Sequence, residues 1–225
     1  MAGRWAIAIL LACGTAACDD DPPTTPDNRA PQIAITASGS FGIAQLTTFV
    51  FTASVADPDG NPVTVTWSFG DGTSSAGTTV WKRFSDPGTI EAVATVKDHL
   101  GVTAASNVLS VTVGSVSGTW SGTVDLTACE AGSKPVTAEL VQTGSTITGT
   151  VSLPEGLCSS ASGSAAINTA EPGQMLGSGA ARFRVVIPPA IDVSFEGQMD
   201  TTGLKLTGTL QGTDPSGLPF TLEKQ

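Results

Sequence analysis

The chain has 225 residues, a formal charge of −10 and only 13% charged residues, with no tyrosine. Its 10 basic residues are scattered, Lys82–Arg83 being the only adjacent pair, so nothing supplies the clustered cations that phosphate backbones require, and nucleic-acid binding is excluded. Short alternating runs broken by Gly and Pro, with little helical spacing, predict an all-β protein long enough for one large or two modest units.

Residues 1–17 read as an export signal: Arg4 supplies a positive start, Trp5 to Ala12 an apolar core, and small residues lead to a cysteine. The apolar stretch is too short to span a bilayer. "TAAC" resembles the lipobox of bacterial lipoproteins, which implies a lipid-modified Cys18. "LLAC", ending at Cys13, is the alternative, and cleavage without lipidation is a third reading. The expected location is the cell envelope, with the membrane reached through the lipid. Residues 18–31 carry "DDDPPTTPDNRAP", where prolines and like charges oppose packing and favour an extended tether.

Residues 32–114 show period-two patterning. Gln32–Ala37 is a first strand. Phe49, Phe51, Ala53 and Val55 share one face of the next, and Val63, Val65, Trp67 and Phe69 share one face of a third. Ile90, Ala92, Ala94 and Val96 repeat the pattern, and "SNVLSVTV" closes the set. The order "ADPDGNPVTVTWSFGDGT", "FSDPGTIEAVATVKDHLG", "VLSVTV" resembles the PKD (polycystic kidney disease) domain, an immunoglobulin-like sandwich. The chain departs from that pattern at Ser68, Lys82 and Phe84, where the family usually has Asp, His and Tyr. The resemblance implies a spacer or a surface for protein or carbohydrate contact rather than an enzyme.

Residues 115–225 predict about eight more strands, forming an antiparallel barrel or a sandwich. Val116, Gly118, Trp120, Gly122, Val124 and Leu126 share one register, as do Leu204, Leu206, Gly208 and Leu210. "GTW" weakly resembles the G-x-W element of lipocalin- and avidin-like barrels, although "PFTLEKQ" offers no arginine to cover the Trp. Inward glycines either tighten the curvature or leave room for a small apolar ligand beside Trp120 and Phe195. Cys129 and Cys158, an even pair in an exported unit, are expected to form a disulfide.

Candidate chemistry is sparse. Asp57, Asp59 and Asn61 alternate in "DPDGN" and, with Asp98, form a possible calcium set, but Pro62 and Ser68 break the EF-hand template and a plain Pro-Asp-Gly turn accounts for the same residues. Asp71, between two glycines, is expected to cap its own turn. His99 stands alone, no G-x-S-x-G occurs, and no cofactor is implied. Trp81 is either a surface contact or core.

Overall fold

The computed structural model describes residues 27–129, 132–157, 161–167, 171–187, 191–212 and 217–225, with the backbone path alone at 154–157, 161–166, 187 and 191. The first nine strands are β1 (Gln32–Ala37), β2 (Phe41–Ile43), β3 (Thr48–Ala56), β4 (Val63–Phe69), β5 (Ser74–Ala76), β6 (Thr79–Arg83), β7 (Gly88–Asp98), β8 (Thr103–Ala105) and β9 (Leu109–Gly114). They form an immunoglobulin-like sandwich with sheets ordered β1-β3-β6 and β2-β9-β7-β4-β5, β8 pairing with the edge of β7. Strand alternation sends Phe49 and Phe51 of β3, Trp67 and Phe69 of β4, and Ala92, Ala94 and Val96 of β7 between the sheets. Phe51 touches Trp67, Phe69 and Phe84 with ring centroids 5.7, 5.2 and 6.4 Å apart. Small alanines on β7 face this aromatic cluster, which lets the two sheets approach around it.

The remaining strands are β10 (Gly118–Asp125), β11 (Ser133–Thr143), β12 (Thr146–Leu157), β13 (Ala161–Ala166), β14 (Gly173–Met175), β15 (Ala180–Ile187), β16 (Ile191–Met199), β17 (Lys205–Gln211) and β18 (Leu218–Lys224). Eight of them close into an antiparallel barrel in the order β11-β10-β18-β17-β16-β15-β14-β12, with β12 returning to β11 and β13 paired beside β12. Closure leaves no free edge around the ring. The interior is filled by Trp120, Val124, Leu140, Ile147, Val151, Met175, Phe183, Phe195, Leu206, Leu210 and Leu222. Leu204, expected to share the inward register, instead lies 57% exposed in the turn before β17.

The inward glycines serve curvature. A Cβ on Gly208 would sit 1.9 Å from Glu196 O on β16, and one on Gly122 would sit 1.8 Å from Thr221 O on β18. Neighbouring strands therefore approach too closely there for any side chain.

The sandwich closes one end of the barrel. Ile43 leaves β2 and is only 1% exposed, yet its neighbours are the barrel's core, with Phe41 and Leu46 packed alongside. The loop that presents it is tied internally: Thr47 Oγ1 accepts from the Ile43 N–H at 2.7 Å, and the Leu46 and Thr47 N–H groups donate to Ile43 O at 3.1 and 2.9 Å. Gln142 on β11 fastens the loop to the barrel. Its Nε2 donates to Ala44 O and Gly144 O, both at 3.1 Å. Its Oε1 accepts from the Val116 N–H at 3.1 Å and from Ser115 Oγ at 3.2 Å. Both donors and both acceptor positions of this buried amide are thereby used. The Gly144 N–H donates to Gln45 Oε1 at 2.9 Å, and Thr47 Oγ1 donates to Gly177 O at 2.9 Å.

Candidate functional site

The outer face of the three-stranded sheet carries the most exposed aromatic among the described residues. On β6, alternation buries Val80 and turns Lys82 toward the core aromatics, so Thr79, Trp81 and Arg83 point outward. Trp81 is 69% exposed and stands opposite Val50 of β3. Around it lie small side chains: Thr52 opposite Thr79, Thr48 opposite Arg83, and Thr36 and Ala34 of β1 opposite Thr52 and Ser54. Arg83 donates from Nη2 to Thr48 Oγ1 at 3.2 Å. A flat platform with one protruding indole results, and it can stack on a planar or ring-shaped partner while the hydroxyls hydrogen-bond beside it.

Lys82, the neighbour of Trp81, does structural work on the other side. Its Nζ pairs with Asp71 at 2.9 Å, donates to Thr73 Oγ1 at 2.6 Å, and lies 5.6 and 5.4 Å from the ring centroids of Phe69 and Phe84. Asp71 Oδ1 accepts from the Thr73 N–H at 3.0 Å and from Thr73 Oγ1 at 2.6 Å, closing the turn after β4. Burial pushes the Asp71 carboxyl up, but hydrogen bonds from Thr73 and Lys82 outweigh it and hold the group below the usual range.

The acidic turns meet at one end of the sandwich without converging on a common point. Asp57 Oδ1 accepts from the N–H groups of Asp59 and Asn61 at 2.9 and 3.0 Å, a self-capped turn. Asp57 Oδ2 is buried without a hydrogen-bond partner. Asp59 is held by the Arg29 guanidinium at 2.7 Å, and that hydrogen bond keeps its carboxyl below the ordinary range. Asp98, 3% exposed, accepts from Asn28 Nδ2 at 2.5 Å and from the Val102 N–H at 2.8 Å. Asn28 Oδ1 in turn accepts from Asn61 Nδ2 at 2.8 Å. Among the described residues no group of three or more His, Cys, Asp or Glu is placed to hold a metal. Asp59 and Asp98 form an attachment point for the incoming chain, with Arg29 on Asp59 and Asn28 on Asp98, while Asp57 caps its own turn. His99 is exposed in the following turn, while the oxygens of its neighbour Asp98 are engaged by Asn28 and Val102.

The barrel interior offers little room beside the two residues singled out for a ligand. Phe195 stacks on Phe183 with centroids 4.7 Å apart and meets Phe220 edge-on at 5.3 Å. Trp120 is fully buried, and its Nε1 donates to Val116 O at 2.7 Å. Sequence reasoning found nothing on the last strand to cover it, but Lys224 does: its Nζ lies 5.7 Å from the indole and donates to Ser115 O at 3.0 Å. Burial pushes the Lys224 ammonium down. The register of Phe220, Leu222 and Lys224 was the available signal, since alternate residues of β18 point inward. A groove of about 430 Å³ lined by Thr119, Thr137, Glu139, Thr150 and Ser152 lies on the outer wall, in the register opposite Trp120.

Cys129 lies in the turn after β10 and is disulfide-bonded. Cys13, Cys18 and Cys158 lie outside the described residues.

Residues 28–113 match the family model described as the PKD domain. The sandwich is a PKD domain. The match begins at Asn28, so the PKD domain includes the Asn28–Asp98 bond that fixes its entry. Two family departures fall in one place: Lys82 and Phe84 are in cation–π contact. Lys82 supplies a cation over the domain's aromatic core, whereas Trp81 and Arg83 point to the opposite face. No curated protein matches the chain. Among solved structures, one from work on the structural basis of promiscuous specificity in carbohydrate-binding modules of the β-sandwich superfamily aligns over 82% of this chain and 61% of its own, at 19% identity and a TM-score of 0.39. This chain therefore spans less than two thirds of that one.

Proposed function

We propose that this protein is a non-enzymatic, lipid-anchored component of a bacterial cell envelope, whose PKD domain acts as spacer and presents the Trp81 face to a glycan. One observation carries the contact surface: a large indole 69% exposed on the edge strand β6, beside a sheet face whose other side chains are mostly small or hydroxyl-bearing. Leaving an aromatic of this size in water forgoes roughly 1.5–3 kcal/mol of burial, a cost that a partner would recover. Sugar rings present apolar C–H faces to stack on the indole and hydroxyls to meet Thr48, Thr52 and Thr79. Anchoring rests on Cys18, with Cys13 as the alternative, and the tether that follows separates the PKD domain from the lipid. We take the partner of Cys129 to be Cys158, a bridge suited to an oxidising compartment.

The test is binding of the full chain to a panel of insoluble and soluble polysaccharides, comparing wild type with Trp81→Ala. Retention of wild type and loss of the variant, with an unchanged melting temperature, is the expected result. Wild type failing on every glycan while Trp81→Ala loses a protein partner would replace the glycan reading with a protein one.

A further inference from the structure

We infer that the Trp81 face selects a carboxylate-bearing polysaccharide, with Arg83 as the residue that reads the charge. The inference rests on the glycan reading above and adds the class of sugar. The outward positions of this sheet are Gln32, Ala34 and Thr36 on β1, Thr48, Val50, Thr52 and Ser54 on β3, and Thr79, Trp81 and Arg83 on β6. In a chain with twice as many acidic as basic residues, this face carries no carboxylate and one cation.

That cation is poised and uncompensated. Arg83 Nε and Nη2 both reach Thr48 Oγ1, at 3.4 and 3.2 Å, which holds the guanidinium against the sheet. Its Nη1 and the second Nη2 hydrogen stay open for a two-point bond to a carboxylate. Among the described residues every ion pair involves other groups, and none includes Arg83. Its chain neighbour Lys82 is, by contrast, committed to Asp71 on the inner side.

Trp81 and Arg83 are two residues apart on one face, hence about 6.6 Å apart along the strand, the scale of one sugar ring. An acidic sugar stacked on the indole therefore brings its own or the next unit's carboxylate to the guanidinium. The net charge of −10 opposes any polyanion at long range. At physiological salt, however, charges beyond about 8 Å are largely screened, so the adjacent arginine outweighs the remote acids.

Polygalacturonate and the same polymer fully methyl-esterified share a backbone and differ in charge, which isolates the term in question. At about 0.15 M salt, wild type should bind the free acid about three- to tenfold more tightly than the ester. Arg83→Gln should remove that preference without changing the melting temperature, and Trp81→Ala should lose both polymers. Equal binding of acid and ester by wild type, or a preference that survives Arg83→Gln, overturns the inference and leaves the glycan reading standing. Failure to bind either polymer also overturns it. Retention of a neutral glycan from the wider panel then shows that the glycan reading survives, and failure there overturns both.

Discussion

Replacing Ile43 by alanine should destabilise the barrel, although residue 43 lies in the sandwich by sequence. The side chain is 1% exposed among barrel residues, and the change deletes three carbons beyond Cβ. At about 0.8 kcal/mol per buried carbon the transfer loss is about 2.5 kcal/mol. The cavity left at a rim shared by both units raises it to about 3 kcal/mol. The loop itself should persist, because Thr47 and backbone groups hold it and the Ile43 side chain takes no part in those bonds. If the two units unfold together, each kcal/mol lowers the melting temperature by about 2–4 °C at this size, so a fall of roughly 6–12 °C is expected. Calorimetry of the full chain is the assay: wild type should show one transition with equal calorimetric and van't Hoff enthalpies. Hydrogen exchange should report lost protection in β17, around Leu206 and Leu210. A melting shift below about 1 °C would refute the reasoning. So would loss of protection confined to β4 and β7.

Two further outcomes test the chemistry of the turn and the anchor. Asp71 has its carboxyl held below the usual range, so its stabilisation is present above the unfolded pKa of about 4 and disappears as pH falls through the lower folded value. Asp71→Asn should cost about 1 kcal/mol at neutral pH, the low end for a partly exposed ion pair. Urea titrations should show the gap to wild type closing below about pH 4, and a gap that persists at low pH would remove the charge from the explanation. Cys18→Ser should move the protein from the membrane fraction to the soluble one; an unchanged fraction would transfer the anchor to Cys13 or end the lipid reading.

Within the sandwich, period-two patterning was enough to read the core. The residues assigned to β1 are those observed, and Trp67 and Phe69 lie inside because their neighbours Thr66 and Ser68 tolerate water. Asp71 could be read as a turn residue from its flanking glycines, without knowing that Lys82 reaches it from the facing sheet. Patterning reports which way a side chain points and is silent on what lies opposite, and the errors follow from that. Leu204 fitted an inward register but falls before the strand begins. Gly122 and Gly208 looked equally suited to curvature or to a ligand until the opposing carbonyls were placed. Ile43 sits in "FGIAQLTT", too short and irregular to signal a face, and its burial depends on a barrel closed by the pairing of β10 with β18, distant in sequence. The Trp81 face was legible only halfway: the sequence left Trp81 as either a surface contact or core, and its exposure required knowing that no second layer covers the sheet among the described residues.

The chain enters the PKD domain and leaves it at opposite ends. Asn28 and Arg29 are fixed beside the acidic turn that follows β3, while Gly114 and the Ile43 loop lie where β3 begins, about 30 Å away along a nine-residue strand. A pull applied between these two ends would run along the strands. It would load the β1–β3 and β7–β9 ladders in shear, with their hydrogen bonds sharing the force, where a pull across the sheets would open them one at a time. For a domain loaded between its two ends, that direction of strength favours holding over yielding.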